Sequence, residues 1–292
     1  SNNLTKKAYS QVLSDPLKPL FNRAIAGEFP SGSIIKPLMA SAALQEKIID
    51  PEKKIYDSGY LEVINPFSGQ NAIFQDWQPQ GWINFYDAIA MSANVYFYTI
   101  GGGYRDQKGL GISNIDKYYN LFGLGSKLGI DLPGERPGFV PSPENKKDFD
   151  PQNPIWRIGD TYNMSIGQGG LKVTPLQMAS AAASIANGGQ LFKPRILSDA
   201  KPEVIRQNFI DPDNLQKVIR GMRQAVTSGT AKRLLNVPVE VAGKTGTAQA
   251  TGISHAWGMV LAPAENSELA IVSMVEHGGE GSAIALPTLH DF

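Results

Sequence analysis

The sequence contains no cysteine, which excludes disulfides, thiol catalysis and thiolate metal sites. It carries no net charge, with 27 Lys+Arg against 27 Asp+Glu, so no overall field draws in nucleic acid or anionic lipid. Histidine is scarce: His255, His277 and His290 are the three present, all near the C-terminal end. Long hydrophobic runs are missing too. The longest weakly polar run, residues 178–186, falls far short of the roughly 20 residues a membrane span needs. The chain opens without a signal-peptide pattern, and no repeat or low-complexity tract appears. What is present is ordinary globular material. The 292 residues are 42% hydrophobic and 18% charged, enough for a sizeable core and inconsistent with intrinsic disorder.

Residues 33–45 (SIIKPLMASAALQ) read as a buried helix with Pro37 in its first turn, where the missing N–H is tolerated. Residues 48–83, rich in Gly, Pro, Asn and aromatics, read as irregular loops. Two apolar helical stretches, 84–90 and 95–100, flank the polar break Ser92-Ala93-Asn94, and a short helix covers 114–122. The proline-rich stretch 129–161 reads as an extended excursion. Thr174-Pro175 and Asp211-Pro212 each open a helix, stopped near Gly188-Gly189 and Gly229. Residues 239–249, 255–262 and 269–276 then read as three hairpin-linked strands, followed by a closing helix after Ser282. The expectation is an α+β domain over 1–292. Its sheet-bearing part would span about 1–46 and 173–292, with 47–172 as a mainly helical and loop insertion.

Serine needs a partner that takes its proton. Histidine is a poor candidate here, because no G-x-S-x-G elbow accompanies the three tail histidines. Lysine is the other route. In Ser33-Ile34-Ile35-Lys36 the two side chains share a helix face, and burial lowers a lysine pKa towards that of a working base. A second match, Ser198-Asp199-Ala200-Lys201, is polar, lies between two prolines and reads as a solvated turn. A trivial Ser-x-Asn match stands at Ser1-Asn2-Asn3. Two further elements single out the first lysine pair. Ser92-Ala93-Asn94 interrupts apolar helices 59 residues after Ser33. Lys244-Thr245-Gly246-Thr247 sits 152 residues beyond Ser92 inside a strand, where glycine leaves room for something to approach the backbone and the lysine and hydroxyls suit a carboxylate. Tyr96, Phe97 and Tyr98 read as packing residues, one of them available for stacking. Residues 123–129 approach G-x-G-x-x-G, but the last spacing is one too long and they follow a helix, so no dinucleotide site is expected.

Ser-x-x-Lys, Ser-x-Asn and Lys-Thr-Gly together are the signature of penicillin-binding proteins and class A β-lactamases. The resemblance covers nearly the whole chain through residues 22–24, 29–37 (FPSGSIIKP), 76–77, 92–98 (SANVYFY), 122–124, 129–134 (GIDLPG), 166–176 (IGQGGLKVTPL), 242–249 (AGKTGTAQ) and 255–257. The sequence resembles the transpeptidase domain of class B penicillin-binding proteins, closest to the elongation-type penicillin-binding protein 2 group. That resemblance implies an antiparallel sheet flanked by helices with an inserted helical subdomain, a serine β-lactamase-like fold. It implies a D,D-transpeptidase at the outer, periplasmic face of the cytoplasmic membrane. The substrates would be peptidoglycan stem peptides ending in D-Ala-D-Ala, β-lactams would be inhibitors, and a polytopic glycosyltransferase would be the partner.

On this reading Ser33 is acylated, Lys36 takes its proton, and Ser92 with Lys244 relays one to the leaving amine. Asn94 holds the substrate amide, while Thr245, Gly246 and Thr247 form the carboxylate-binding strand. The backbone N–H groups of Ser33 and Thr247 form the oxyanion hole. Family members carry two strands, a membrane helix and a pedestal domain ahead of the region matched here, and the reading expects these to be absent from this chain. Some relatives hold zinc with two Asp, one His and one Cys. Asp57 and Asp76 match the two Asp, Gln80 stands near the His position, and no Cys exists, so no metal and no cofactor is expected. The alternatives within the superfamily are a D,D-carboxypeptidase, a β-lactamase or a β-lactam sensor. A β-lactamase needs a deacylating base, and no Glu-x-x-Leu-Asn follows Asn94 and no glutamate or histidine stands beside the motifs.

Overall fold

The computed structural model describes residues 6–291 other than 65–68, 70, 198 and 200. The three C-terminal strands, Ala242–Ala248, His255–Ala262 and Leu269–Val275, form one antiparallel sheet in sequence order. Gly246 lies opposite Trp257, which in turn lies opposite Met274. The middle strand is apolar on both faces because it is covered on both. Trp257, Met259 and Leu261 enter the main core, while Val260 enters a second cluster with Leu286 and Leu289 of the helix Gly281–His290. Gly258 admits that helix: a Cβ there would stand 2.6 Å from Leu289 Cδ1. Helices and a separate antiparallel sheet in one chain make the α+β class expected from the sequence.

The helices lie close to their expected bounds. A 3₁₀ turn, Gly32–Ile35, runs into the α-helix Lys36–Gln45, and Pro37 sits at the start of that helix. Nearly every side chain of this helix is buried, as an all-round apolar sequence requires. Phe85–Ala90 opens on a capping box between Asn84 and Asp87. Asn94–Gly102 follows, and Pro175–Ala186 opens on a second capping box between Thr174 and Gln177. Pro212–Thr227 is the amphipathic helix expected after Asp211.

Two expectations are corrected. Residues 48–83 are not all loop: Ile55–Asp57 pairs with Gly81–Ile83, and Tyr60–Val63 with Ala72–Gln75, both antiparallel. These strands are three or four residues long and carry exposed Tyr56 and Trp82, which stack across the first pair at 5.3 Å, so no inward hydrophobic period announces them. The stretch 129–161 contains a turn of helix, Lys146–Phe149, tied by the buried Lys146 to Asp150 and Asp160 at 2.9 and 2.8 Å. The sequence reading also lacked the helix Lys6–Ser14 and the short strand pair Leu191–Phe192 and Val204–Arg206. Among the described residues no helix is long and apolar enough to cross a membrane.

The seam that matters for function runs between the 3₁₀ turn and the first C-terminal strand. A Cβ on Gly246 would stand 2.9 Å from Ile34 Cγ2 and 3.0 Å from the Ile34 backbone nitrogen. One on Gly32, whose φ is +53°, would stand 2.6 Å from the Thr247 carbonyl oxygen. The turn carrying Ser33 is thus pressed onto the Lys-Thr-Gly strand. Trp257 Nε1 holds it from behind by donating to the Pro30 carbonyl at 2.9 Å. Gly246→Ala should therefore force the turn off the strand and cost about 1–3 kcal/mol, the usual size of overpacking. Gly243→Ala, whose nearest neighbours are side-chain carbons at 3.1–3.4 Å, should cost less. Urea midpoints of the two variants test this. Equal midpoints would mean that the seam does not need its glycine.

Candidate active site

Three segments bring the expected residues to one cavity of about 730 Å³. Ser33, Ser92, Asn94, Thr245, Gly246 and Thr247 all line it. Lys36 and Lys244 lie behind its floor, both fully buried. Ser33 is held in the 3₁₀ turn, one turn ahead of the α-helix and not at its first residue, and its carbonyl accepts from the Lys36 N–H.

Ser92 is the meeting point. Its backbone φ of +58° is left-handed, uncommon for serine. Lys36 Nζ donates to the Ser92 carbonyl at 2.6 Å, to Asn94 Oδ1 at 2.7 Å and to Ser92 Oγ at 3.3 Å. Lys244 Nζ donates to Ser92 Oγ at 2.7 Å and to the Thr245 carbonyl at 2.9 Å. Among the described residues no hydrogen bond joins Lys36 to Ser33 Oγ. Burial lowers Lys36 to about 7, against the opposing pull of Asp76 and then Asp57. Burial, and then the neighbouring Lys36, hold Lys244 far below the ordinary lysine range.

The two aspartates cap and brace. Asp76 accepts from the N–H groups of Trp77 at 2.7 Å and of Val95 at 2.8 Å, so it holds the first turn of the Asn94–Gly102 helix. Asp57 accepts from the Gly59 N–H at 2.7 Å. Burial, and then the neighbouring Asp76 carboxylate, push Asp57 well above the usual carboxylate range. Asp57 Oδ2 and Gln80 Nε2 are buried without partners. Two carboxylates, with an amide nearby and no imidazole or thiolate, do not make a zinc donor set. Among the described residues no group of three or more His, Asp or Glu gathers.

Several lining residues carry no sequence signal. Thr230 accepts from Thr245 Oγ1 at 2.8 Å and is fixed by its own N–H donating to the Ala90 carbonyl at 3.0 Å. Gln75 and Trp77 arrive from the strand-rich stretch read as loop. Tyr98 lines the cavity and donates to the Gln75 carbonyl at 3.3 Å, whereas Tyr96 and Phe97 are packed inside. Glu280 and Ser282 also line the cavity, so the reading that places no glutamate near the motifs is corrected. These residues come from distant stretches, and no local spacing marks them.

Of the competing patterns, the described residues do not line the cavity. Ser198 and the triplet Ser1-Asn2-Asn3 lie outside the described residues, and Lys201 is exposed. In the glycine-rich 123–129 turn, the N–H groups of Leu128 and Gly129 donate to Glu135 at 2.6 and 2.9 Å, so the chain's own carboxylate fills the place a phosphate would need. His255 packs edge-on against Phe29 at 5.2 Å and accepts from the His277 N–H at 3.1 Å. Burial and then His277 lower its pKa. His255, His277 and His290 do not line the cavity.

Comparison with known proteins gives the same result. The profile of the "Penicillin binding protein transpeptidase domain" family matches residues 1–292. The peptidoglycan D,D-transpeptidase MrdA of Acinetobacter baumannii is 34% identical over 97% of this chain and 45% of its own length. The chain therefore spans about half the length of the curated relatives it matches. Among solved structures, Pseudomonas aeruginosa PBP2 in complex with WCK 5153 superposes with a TM-score of 0.86 at 32% identity, covering 98% of this chain and 64% of that one. Helicobacter pylori PBP2, solved in complex with MreC, gives 0.86 at 31% identity, covering 98% of this chain and 53% of that one. With the motif residues gathered on one cavity and a family profile running from end to end, the chain belongs to the penicillin-binding protein transpeptidase domain family.

Proposed function

We propose that this chain is the catalytic domain of a peptidoglycan D,D-transpeptidase of the cell-elongation type, working through an ester on Ser33. One observation carries the reading: two fully buried lysines from separate elements meet on the Ser92 hydroxyl, beneath a cavity that Ser33 lines. A buried amine near neutrality is a base, and a serine hydroxyl that contacts two of them is a proton conduit.

The donor stem peptide places its D-Ala-D-Ala amide over Ser33, held by Asn94. Its terminal carboxylate lies along Thr245, Gly246 and Thr247. Lys36 exchanges one of its present partners for Ser33 Oγ and takes that proton. Such contacts commonly tighten only when substrate is bound. Oγ attacks the carbonyl carbon, and the N–H groups of Ser33 and Thr247 stabilise the oxyanion. The C–N bond breaks, and Ser92 with Lys244 passes a proton to the departing D-Ala nitrogen. An amine from a second stem peptide then takes the acyl group, which cross-links the wall. No cofactor or metal enters these steps.

The reading treats residues 1–292 as one domain, with 47–172 inserted between two sheet-bearing parts. It places the domain at the periplasmic face of the cytoplasmic membrane, in a longer protein that works beside a polytopic glycosyltransferase. The relative solved with MreC supports a partner from the elongation machinery. Transfer to water, as in a carboxypeptidase, differs only in the acceptor.

A β-lactam combines a strained amide with a carboxylate and so enters the same site. Ser33 should open its ring, and the tethered amine should keep the ester in place. After incubation with benzylpenicillin the protein should gain the mass of one intact β-lactam on the peptide holding Ser33. Ser33→Ala should gain nothing, and Lys201→Ala should react as the parent does. A folded parent without the adduct, or with it on another residue, refutes the reading.

The pH dependence follows from Lys36. The base must be unprotonated, and its pKa is lowered to about 7. Below that value the acylation rate should fall about tenfold per pH unit, and above it the rate should level off. Stopped-flow acylation between pH 5.5 and 8.5 measures this. A flat profile would remove Lys36 from the role of base.

A further inference from the structure

Among the seventeen residues that line the cavity, Glu280 is the only one with a charged side chain. The two lysines are sealed beneath the floor, so Glu280 supplies the only formal charge on the accessible wall. Its position is fixed by backbone. The following residue, Gly281, donates its N–H to Thr247 Oγ1 at 3.2 Å. A Cβ on Gly281 would stand 2.2 Å from the Gly246 carbonyl oxygen, so the start of the Gly281–His290 helix is seated directly on the Lys-Thr-Gly strand. The side chain is oriented as well: Ser282 Oγ donates to Glu280 Oε1. Among the described residues no cation pairs with Glu280, whereas Glu276 four residues earlier is taken by Arg23. An exposed carboxylate, steered by a neighbouring hydroxyl into a cleft and left without a counter-charge, is a cation-binding group.

We propose that Glu280 binds the ammonium of the acceptor stem peptide. The inference rests on the transpeptidase reading and extends it to the second substrate. The donor's carboxylate belongs with the hydroxyls of Thr245 and Thr247, and Glu280 is the one lining group whose charge attracts an ammonium. The acceptor is drawn in as a cation. One proton leaves its ammonium to solvent, and the freed nitrogen lone pair attacks the ester carbonyl. A C–N bond forms, the bond to Ser33 Oγ breaks, and a second proton from the nitrogen returns to Oγ. Water, being neutral, gains no charge attraction from Glu280. The same residue therefore biases the acyl-enzyme towards an amine.

The test compares two acceptors on one acyl-enzyme. The protein is charged with a small D-alanyl thioester, and transfer is measured to glycinamide, mostly an ammonium at pH 7, and to hydroxylamine, which is mostly neutral there. In Glu280→Gln, which still accepts from Ser282, the preference for glycinamide over hydroxylamine should drop about fivefold, the size of one exposed charge pair. The drop should appear in the glycinamide concentration at half-saturation, with the saturated rate little affected. Glu280→Asp should recover part of it. Added salt should erode the preference of the parent but not of Glu280→Gln. An unchanged preference in Glu280→Gln overturns the proposal. An equal loss with both acceptors also overturns it, because it assigns Glu280 a structural role. A parent that forms no ester on Ser33 overturns the transpeptidase reading and this inference with it.

Discussion

Lys36 and Lys244 reach the same hydroxyl, at 3.3 and 2.7 Å, with no water-accessible surface on either residue. Two ammonium ions cannot be held this way. Each would forfeit its hydration, and their mutual repulsion in a low-dielectric interior would add to the cost. The pair resolves the conflict by shedding charge. It does so unequally, because the carboxylates stand on one side: Asp76 and Asp57 act on Lys36 and hold it near neutrality, while Lys244 feels burial and Lys36. The aspartate pair is therefore more than a brace for the helix cap. Its negative charge sets which of the two lysines retains a useful proton affinity.

What brings the lysines together is close backbone approach, permitted by missing side chains. Gly32 lies against the Thr247 carbonyl, Gly246 against Ile34, and Gly281 against the Gly246 carbonyl. Three segments far apart in sequence thus stack at one level: the turn that carries Ser33, the Lys-Thr-Gly strand and the start of the C-terminal helix. The large cores on either side of the sheet fix the segments that carry these contacts, since Ile34, Ile35 and Trp257 belong to one cluster and Leu286 and Leu289 to the other.

This explains which parts of the site could be read from sequence. Ser33 with Lys36, Ser92 with Asn94, and Lys244 with Thr247 are each encoded within four residues. Each combines polar groups with an apolar helix or strand that has no structural use for them. The helices opening at Thr174 and Asp211 were legible for the same reason, because a cap and a proline are local chemistry. Thr230, Gln75 and Glu280 carry no such mark, and they join the site only because the chain folds back on itself. Gly246 was legible as a place of close approach, but the approaching group is the Ile34 backbone of the turn that carries Ser33, a long-range contact that no strand pattern reveals. The short strands between residues 55 and 83 failed differently. Their exposed aromatics and three-residue lengths give no period to detect.

The left-handed backbone of Ser92 is a further departure from ordinary geometry at the site. A non-glycine residue held there costs on the order of 1 kcal/mol. Its neighbours over-determine it. The Ser92 N–H donates to the Ile89 carbonyl at 3.3 Å and the Ala93 N–H to the Ala88 carbonyl at 3.0 Å, closing one helix, while Ala93 in extended conformation opens the next. Glycine would relieve the strain but would also delete the hydroxyl that Lys244 requires. Asparagine tolerates the conformation but would put an amide where the lysines need a group that both donates and accepts a proton. The reversal of chain direction at Ser92 lets one residue present its carbonyl to Lys36 and its hydroxyl to both lysines. A serine in a right-handed turn would continue the helix and carry its carbonyl into the next helical hydrogen bond, away from Lys36. The strain is thus the geometric condition for a single residue to join the two lysines.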